Sequence, residues 1–389
     1  MTYKKIFLFP ILLLSMMFYS CSDSPSSIGN NILSPDFVSV HKIDSSTDSV
    51  QQASTYYKTR VRLSDSPRLF LGKYANVEAS TLIKFAVVVT DTGLKNAILN
   101  STLNVISSKV NLTRVYNIGD TSSIIYSVHK VNNYWTALYN ADSSSLEYDP
   151  GDISSNKSST DSLYSFDLDN QTVLNWLHSA ADTSDKSNHG IYLSPDPASN
   201  GIVGFDAYNV NAVGLPRLTI VVSVSGNVDT LSYISLPDVS IISGNLPVVP
   251  AEDIVVQAGL AVDSWVKFDL SSIKKGSVIN KAQLTLYLDS SATKTGDKFT
   301  NALIVYFSKD TSAHSYDTTS AIVLNRSANY FTGNIAPFVQ SIVSGFHENQ
   351  GFVLGAGGPN TGVELFALKG SGSETSLRPR LVITYTGRK

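Results

Sequence analysis

Cysteine is almost missing from this sequence, because Cys21 is the only one in 389 residues. A lone cysteine cannot form a disulfide within its own chain, so no internal disulfide framework supports the fold. The length instead allows two domains of ordinary size, each large enough to bury an apolar core of its own.

Charge is also scarce, because Lys, Arg, Asp and Glu make up only 16% of the residues. There is no basic run or stripe, which argues against a nucleic-acid partner. After the N-terminal apolar stretch, no second one is long enough to span a bilayer. Ser, Thr, Asn and Asp are abundant and tyrosines number 19, which is typical of an extracellular β-protein with polar outer faces.

The motifs of several enzyme classes are absent too. The sequence has no H-E-x-x-H, no G-x-S-x-G and no P-loop, and its six histidines are scattered without metal-ligand spacing. Asp167 and Asp169 could form a carboxylate pair for glycoside chemistry. They alternate with Phe166 and Leu168, so a solvent-facing strand or a helix cap at Asp169 is the preferred interpretation. The sequence therefore predicts a protein without catalytic activity.

The N-terminus carries the clearest targeting signal. Two lysines precede an apolar stretch from Ile6 to Phe18, which is too short for a comfortable membrane span, and Ser20 precedes Cys21. Residues 1–20 are therefore predicted to be a signal peptide. The position of Cys21 resembles the lipobox of bacterial lipoproteins, which implies a lipidated cysteine at a new N-terminus. Phe18 departs from the usual leucine of that motif, and an ordinary signal peptide with an unrelated thiol is the alternative.

The segment that follows is poor in apolar residues. Residues 21–36 are rich in Ser, Asn and Pro, and they are predicted to be a flexible tether that lifts the folded part off the membrane. Lipid anchor and tether together place the protein in the bacterial cell envelope, at the outer membrane or the cell surface.

A strand–loop–strand pattern at Ser264–Ser291 recurs in weaker form at Ser80–Ser108. In both stretches apolar side chains recur at every second position, which is typical of a half-buried strand. Four matches that keep their order along the chain predict a tandem duplication into two similar modules. The later matches are Asn188–Leu193 with Asn349–Leu354, and Leu215–Ile220 with Arg378–Ile383.

Helical spacing appears once in each predicted module, at Asn170–Leu177 and between Ile335 and Val343. Many short strands separated by turn signals surround these helices. The sequence thus predicts an all-β fold of two tandem antiparallel β-sandwich modules, jelly-roll-like, each with one short helix. The first module is predicted to span residues 37–225 and the second residues 226–389.

The order of these motifs resembles the DNRLRE domains of secreted bacterial and archaeal proteins, which overlap the family 96 carbohydrate-binding modules. The second module carries the Phe268–Leu270 strand, Gly351 and the terminal Arg378–Leu381 strand of that pattern. The first departs from it at Ala86–Val87, where Asp-Leu is expected, and the second lacks a tryptophan equivalent to Trp135. The resemblance implies a jelly-roll-like sandwich more strongly than it implies any one ligand.

Loop aromatics are the best candidates for a binding site. Sugar rings stack their C–H faces on aromatic rings, and tyrosine and tryptophan add a polar group. For Trp135 the preferred alternative is a ring that caps the sandwich core. The candidates, two of which flank late loops of the first module, are Tyr134, Trp135, Tyr139, Tyr148, His189 and Tyr208.

The long loop that contains most of these aromatics is also acidic, with Asp142, Glu147, Asp149 and Asp152. Calcium prefers oxygen ligands, so these carboxylates could hold a calcium ion together with backbone carbonyls. The spacing matches no EF-hand, and a solvated acidic loop is the preferred interpretation. No other cofactor is predicted.

These features together predict a non-catalytic, lipid-anchored envelope protein that binds polysaccharide through its loop aromatics. Its predicted partners are a polysaccharide or an envelope protein, and it reaches the membrane through the N-terminal lipid alone. One alternative is a structural or adhesive surface lipoprotein that docks other proteins. A more remote one is a polysaccharide-degrading enzyme.

Overall fold

The structure is a computed structural model that describes residues 38–388, apart from 62, 123, 140–144, 183, 186 and 209–213. The predicted signal peptide, the predicted lipidation site Cys21 and the predicted tether lie outside the described residues. Within the described part, no helix is long and apolar enough to cross a membrane.

Strands dominate the described chain, and every strand pair in it is antiparallel, which confirms the predicted all-β class. The strands are β1 (Val38–Asp44), β2 (Gln52–Lys58), β3 (Arg68–Tyr74), β4 (Val77–Phe85), β5 (Leu103–Gly119), β6 (Tyr126–Lys130), β7 (Ser154–Ser159), β8 (Leu163–Leu168), β9 (Ile191–Pro195), β10 (Gly201–Asp206), β11 (Arg217–Val224), β12 (Asn227–Gly244), β13 (Asp253–Gln257), β14 (Val262–Phe268), β15 (Val278–Tyr287), β16 (Ala302–Asp310), β17 (Ser315–Ser327), β18 (Tyr330–Asn334), β19 (Phe352–Ala356), β20 (Leu365–Lys369) and β21 (Arg380–Arg388). The helices are α1 (Thr92–Leu99), α2 (Asn170–Ala181) and α3 (Ala336–Val343).

These strands form two hydrogen-bonded sheets, the first of which closes on itself. In the first sheet, β10, β3, β4, β12, β11 and β5 follow one another, and β5 pairs back to β10 so that a ring closes. Strands β6 to β9 extend this ring at its side. The second sheet runs from β1 through β21, β15, β18, β17, β16, β19, β14 and β13 to β20, with β2 also paired to β14.

The first two strands of the chain complete the second sheet rather than the first. β1 lies against β21 and β2 lies against β14, and we call the segment Val38–Lys58 the clasp. β12 occupies the corresponding place in the first sheet, with its first half against β11 and its second half against β4. Strand pairing therefore does not follow the predicted boundaries 37–225 and 226–389, because the clasp pairs with the second sheet and β12 pairs with the first.

Two helix predictions are confirmed and one helix was missed. α2 and α3 lie where the apolar spacing places them, with Pro337 in the first turn of α3. α1 lies inside the stretch Ser80–Ser108, which had been interpreted as strand, loop and strand. The Asp91 side chain accepts a hydrogen bond from the Leu94 amide at 2.6 Å and caps this helix. The first sheet therefore carries two helices instead of one.

The repeated N-x-G motif makes the same contacts in both sheets. Nδ2 of Asn188 donates to the Phe85 carbonyl, and Nδ2 of Asn349 donates to the Phe268 carbonyl. The glycine that follows each asparagine has φ above +80°, and a Cβ there would collide with the backbone of the neighbouring strand. The motif thus fixes the start of β9 and β19 against β4 and β14.

Each sheet encloses a buried apolar core, and a third cluster lies between the sheets. Phe70, Tyr116 and Ile202 of the first sheet pack there against Val255 and Leu365 of the second, all of them buried. Polar pairs surround this cluster. The side chains of Asn76 and Gln257 exchange two hydrogen bonds, and Asp297 accepts from both the amide and Nδ2 of Asn117. The two sheets are therefore held together by a packed interface.

Candidate binding site

The long aromatic loop lies on the outer side of β6 and β9, on the first sheet. Backbone hydrogen bonds join Asn132 to Glu147 and Asp149 to Lys130, and Val131 forms a β-bridge with Tyr148. Residues 147–149 thus run as a short extra strand beside β6. This pairing brings the second half of the loop over the side chains that β6 and β9 present on that face.

Three rings meet at this place. His129 and Tyr192 are directly opposite each other on β6 and β9, and their ring centroids lie 6.2 Å apart. The Tyr148 ring lies 5.1 Å from the His129 ring and 5.0 Å from the Tyr192 ring. Tyr148 remains 42% exposed, and Tyr192 is half-buried. We call His129, Tyr148 and Tyr192 the aromatic ledge.

The orientation of His129 at the back of the ledge is fixed by hydrogen bonds. Its Nδ1 lies 3.0 Å from the Asp149 carbonyl oxygen, which can only accept, so Nδ1 carries the proton. Its Nε2 then accepts from the Ser127 hydroxyl at 2.6 Å. The ring is buried and both of its nitrogens are occupied, so His129 supports the two tyrosines rather than meeting a ligand.

Trp135, a predicted ligand-binding residue, is buried and therefore not open to a ligand, but it lies in a small cluster separate from the first core rather than capping that core. The side chain is 5% exposed and packs with Leu82, Val131 and Val239. Its Nε1 donates to the His189 carbonyl oxygen at 2.7 Å. The ring thus fastens the loop to the outer face of β4 and β12, where no sugar could stack on it.

The remaining predicted aromatics are distributed unevenly. Tyr139 packs on the Trp135 cluster beside Tyr192, and burial raises the pKa of its hydroxyl. Tyr134 is 73% exposed on the same loop, and Tyr208 is exposed on a different loop, with its amide bound to Asp238. The ring of His189 is half-buried, and burial lowers its pKa.

A crevice of about 580 Å³ opens beside Tyr139. It is lined by Leu138 and Tyr139 from the aromatic loop, by the end of the clasp and the residues after it, and by part of β12. Leu138 is exposed at its rim. Gly259, Leu260 and Ala261, which connect β13 to β14, also line it.

The described acidic residues of the loop do not form a calcium site. Oδ1 of Asp152 accepts from the amides of Val128 and Ser154, and its Oδ2 lies 2.6 Å from Lys157 Nζ. Asp149 accepts from the Asn132 side chain and lies near Lys130, while Glu147 is exposed. Among the residues that the structure describes, no three His, Cys, Asp or Glu side chains are grouped to hold a metal ion. Asp142 lies outside them.

The two carboxylates considered for glycoside chemistry have structural roles. Asp169 caps α2, because its Oδ2 accepts from the amide and hydroxyl of Thr172. Asp167 accepts from the Asn156 side chain at 2.8 Å and lies 4.0 Å from Lys109. Asp169 is thus the helix cap of the preferred interpretation, and Asp167 lies on β8 with polar partners of its own.

Tyr192, which the sequence interpretation missed, is the centre of the ledge. Its alternation with Ile191 and Leu193, which are both buried in the first core, places its ring on the outer face of β9. That alternation is visible in the sequence. The sequence does not show that β9 lies beside β6 and beneath the loop.

No protein-family model matches the chain, and no curated protein matches it. Among solved structures, the chain is similar to the C-terminal domain of the AgI/II polypeptide BspA of Streptococcus agalactiae, at 8% sequence identity and a TM-score of 0.17. The alignment covers 87% of this chain and 91% of that one.

Proposed function

We propose that this protein is a non-catalytic polysaccharide-binding protein of the bacterial cell envelope. The observation that carries the proposal is the aromatic ledge, where Tyr148 and Tyr192 present adjoining rings on an outer sheet face. Such rings accept the C–H face of a sugar and lose little conformational entropy on binding.

Polar groups beside the ledge suit sugar hydroxyls. The side chains of Lys130, Asn132 and Asp149 lie along the same edge, and Glu147 is exposed beside Tyr148. Glu147 and Asp149, two of the acids first considered for calcium, would thus accept hydrogen bonds from a glycan. A shallow platform of this kind binds each sugar unit weakly, so a polymer that contacts several units is the expected ligand.

The N-terminal sequence supports the envelope location. In our proposal Cys21 is lipidated, and residues 22–37 connect the lipid to β1. The recurring asparagine–glycine contacts of the two sheets support an origin by duplication from a DNRLRE-like unit.

The proposal is tested by retention of the mature chain, residues 22–389, on a panel of soluble and insoluble polysaccharides with and without calcium. We expect retention on at least one polymer, independent of calcium, and its loss in the double variant Tyr148→Ala/Tyr192→Ala. The matched control is Tyr385→Ala, because Tyr385 also stacks on a histidine, His41, at a centroid distance of 5.1 Å but on the second sheet.

Three results would change the proposal. Retention that survives in the double variant would move the site away from the ledge. No retention on any polymer would favour the structural or adhesive alternative. Release of new reducing ends, lost when Asp167 or Glu147 is substituted, would favour the enzyme.

A further inference from the structure

A groove of about 780 Å³ opens on the second sheet, far in sequence from the ledge. One wall is the start of β2 in the clasp, and the opposite wall is the end of α3 with the residues that follow it. The floor is aliphatic and consists of Leu270, Ile273, Ile342 and Val343. Asp269 at the groove edge donates its backbone N–H to the Gln51 carbonyl, so the clasp and β14 hold the groove in shape.

The corresponding place on the first sheet is filled by a helix. β4 and β5 are joined by residues 86–102, which include α1, whereas β14 and β15 are joined by residues 269–277, about half as many. Ala97 and Ile98 of α1 are buried in the first core, and α1 packs beside α2. The short connection in the second sheet forms no helix: its Leu270 and Ile273 pack into the second core beside α3, and Ile342 at the end of α3 stays half-buried at the groove.

The groove rim is charged. Lys267 and Lys275 line it and form no ion pair within the described chain, and Asp269 and Glu348 line it as well. A charged rim around an aliphatic floor is the usual composition of a protein docking surface. Phe346, just outside the lining, is 80% exposed and adds apolar surface beside the groove.

The same features argue against a sugar in this groove. Among the described lining residues the one aromatic ring is His347, and it is already stacked on Phe307 at a centroid distance of 4.4 Å. Its Nδ1 lies 2.7 Å from the Ser341 hydroxyl. A pyranose would find no free ring face on the floor, whereas leucine-like side chains would bury apolar surface there.

We propose that this groove is a docking site for a short amphipathic helix of a partner protein. The apolar stripe of the helix would lie on the aliphatic floor beside α3, as α1 lies beside α2 in the first sheet. Acidic residues on its flank would face Lys267 and Lys275, and basic ones would face Asp269 and Glu348. This mode of recognition depends on apolar residues at helical spacing, three and four positions apart. The site is independent of the aromatic ledge.

The test uses random helix-length peptides displayed on phage and selected on the immobilised mature chain, with counter-selection on Ile342→Glu. We expect the selected peptides to carry apolar residues at helical spacing and to gain helical circular dichroism when bound. Ile342→Glu should weaken their binding at least about tenfold. Lys275→Glu, a substitution at an exposed position, should lower the affinity for acidic peptides by a smaller factor. Val323→Glu, exposed on β17, is the control that should change nothing.

Other outcomes would overturn the proposal. If no sequence is enriched over the Ile342→Glu counter-selection, or if the enriched peptides lack a helical period, the groove is not a helix site. Displacement of the peptides by a soluble polysaccharide would assign the groove to a glycan. Displacement by a synthetic peptide of residues 22–37 would make the chain's own N-terminal segment the occupant.

Discussion

At the scale of single residues, Gly351 is constrained in two ways. Its φ is +84°, and a Cβ would lie 2.7 Å from the Val266 carbonyl oxygen. Gly226 has the same φ of +84° but nothing within 4 Å of its Cβ position. We expect Gly226→Ala to cost about 1 kcal/mol of unfolding free energy from backbone strain alone. Gly351→Ala should cost at least about 2 kcal/mol more, because β14 must also move. Urea denaturation measures the unfolding free energy of both variants. Equal losses of stability would contradict the close approach of Gly351 to the backbone of β14.

Two buried carboxyls make stability depend on pH. Burial raises the pKa of Asp263 and of Asp238 to about 6 each. A carboxyl whose pKa is higher in the folded than in the unfolded state contributes stability below about pH 4, and this contribution is lost as pH rises through about 6.

The expected result is that the free energy of unfolding falls between pH 4.5 and 7.5, by on the order of 2 kcal/mol for each carboxyl. Asp263→Asn should remove its share of the slope, because an amide does not titrate, while the hydroxyl of Thr59 keeps a hydrogen-bonding partner. Denaturation series at several pH values compare the variant with the wild type. A variant with the full wild-type slope would show that Asp263 does not titrate in this range.

Residue roles were predictable where they depend on local sequence. The Asp169 cap and the N-x-G motif follow from neighbours a few positions away. The burial of Trp135 was not certain, because it depends on the sheet face over which a long loop folds. The sequence also gave no equivalent of Trp135 in the second half. Trp265, on β14, nevertheless donates to the Gln350 carbonyl as Trp135 donates to that of His189. Trp135 lies in the loop after β6 and Trp265 lies on β14, so aligning the two halves of the sequence does not match these two tryptophans.

At the scale of elements, the clasp adds two strands to the second sheet. β1 and β2 are one continuous segment that covers β21 at one end and β14 at the other. Asp44 at the end of β1 forms two hydrogen bonds with the Arg380 guanidinium, at 3.0 and 2.5 Å. Arg380 holds the pKa of Asp44 far below its usual range. The stability that this ion pair contributes is therefore present at neutral pH and lost in strong acid.

Asp44→Ala should therefore weaken the clasp, at a cost of about 2 kcal/mol, because it leaves Arg380 without its carboxylate. Native-state hydrogen exchange should show lower protection in β21 and β14 and unchanged protection in β4 and β11. The matched control is Glu78→Ala, which removes an exposed pair with Lys73 and should cost under about 1 kcal/mol. A uniform loss of protection across both sheets would contradict a local role for the clasp.

Helices whose apolar residues recur at helical spacing were predictable, and α1 was missed because it lacks that spacing. Its eight residues contain only two fully buried side chains, Ala97 and Ile98, too few for a helical stripe. Ile98 also lies in Ser80–Ser108, whose apolar residues at every second position predict strands. The Asp91 cap was the local signal that could have separated the two interpretations.

At the scale of the whole molecule, the interface between the sheets should make them unfold together. The cluster around Phe70, Tyr116 and Ile202 is buried as fully as either core. Calorimetry of the mature chain is expected to show one transition with a van't Hoff enthalpy close to the calorimetric one.

Ile202→Asp would bury a charge in the interface and should split the transition in two. Val228→Asp, at an exposed position, should leave a single transition. Two transitions in the wild type would contradict a cooperative interface.

The class of the whole fold was predictable, but the sheet membership of its first strands was not. Alternation and turn signals establish short antiparallel strands, because both depend on neighbours in the sequence. The pairing of β1 with β21 joins opposite ends of the chain. The contacts that specify it, Asp44 with Arg380 and His41 with Tyr385, join residues more than 300 positions apart, so no local pattern in the sequence reveals them.

The claim that the ledge binds sugar is tested most directly by calorimetric titration with an oligosaccharide of the retained polymer. We expect Tyr148→Ala to raise the dissociation constant about tenfold, which is the usual contribution of one stacked ring. Tyr148→Phe keeps the ring, so its dissociation constant should stay within about threefold of the wild-type value. The dissociation constant of Tyr385→Ala should equal that of the wild type. Equal affinity in the wild type and in Tyr148→Ala would contradict the account.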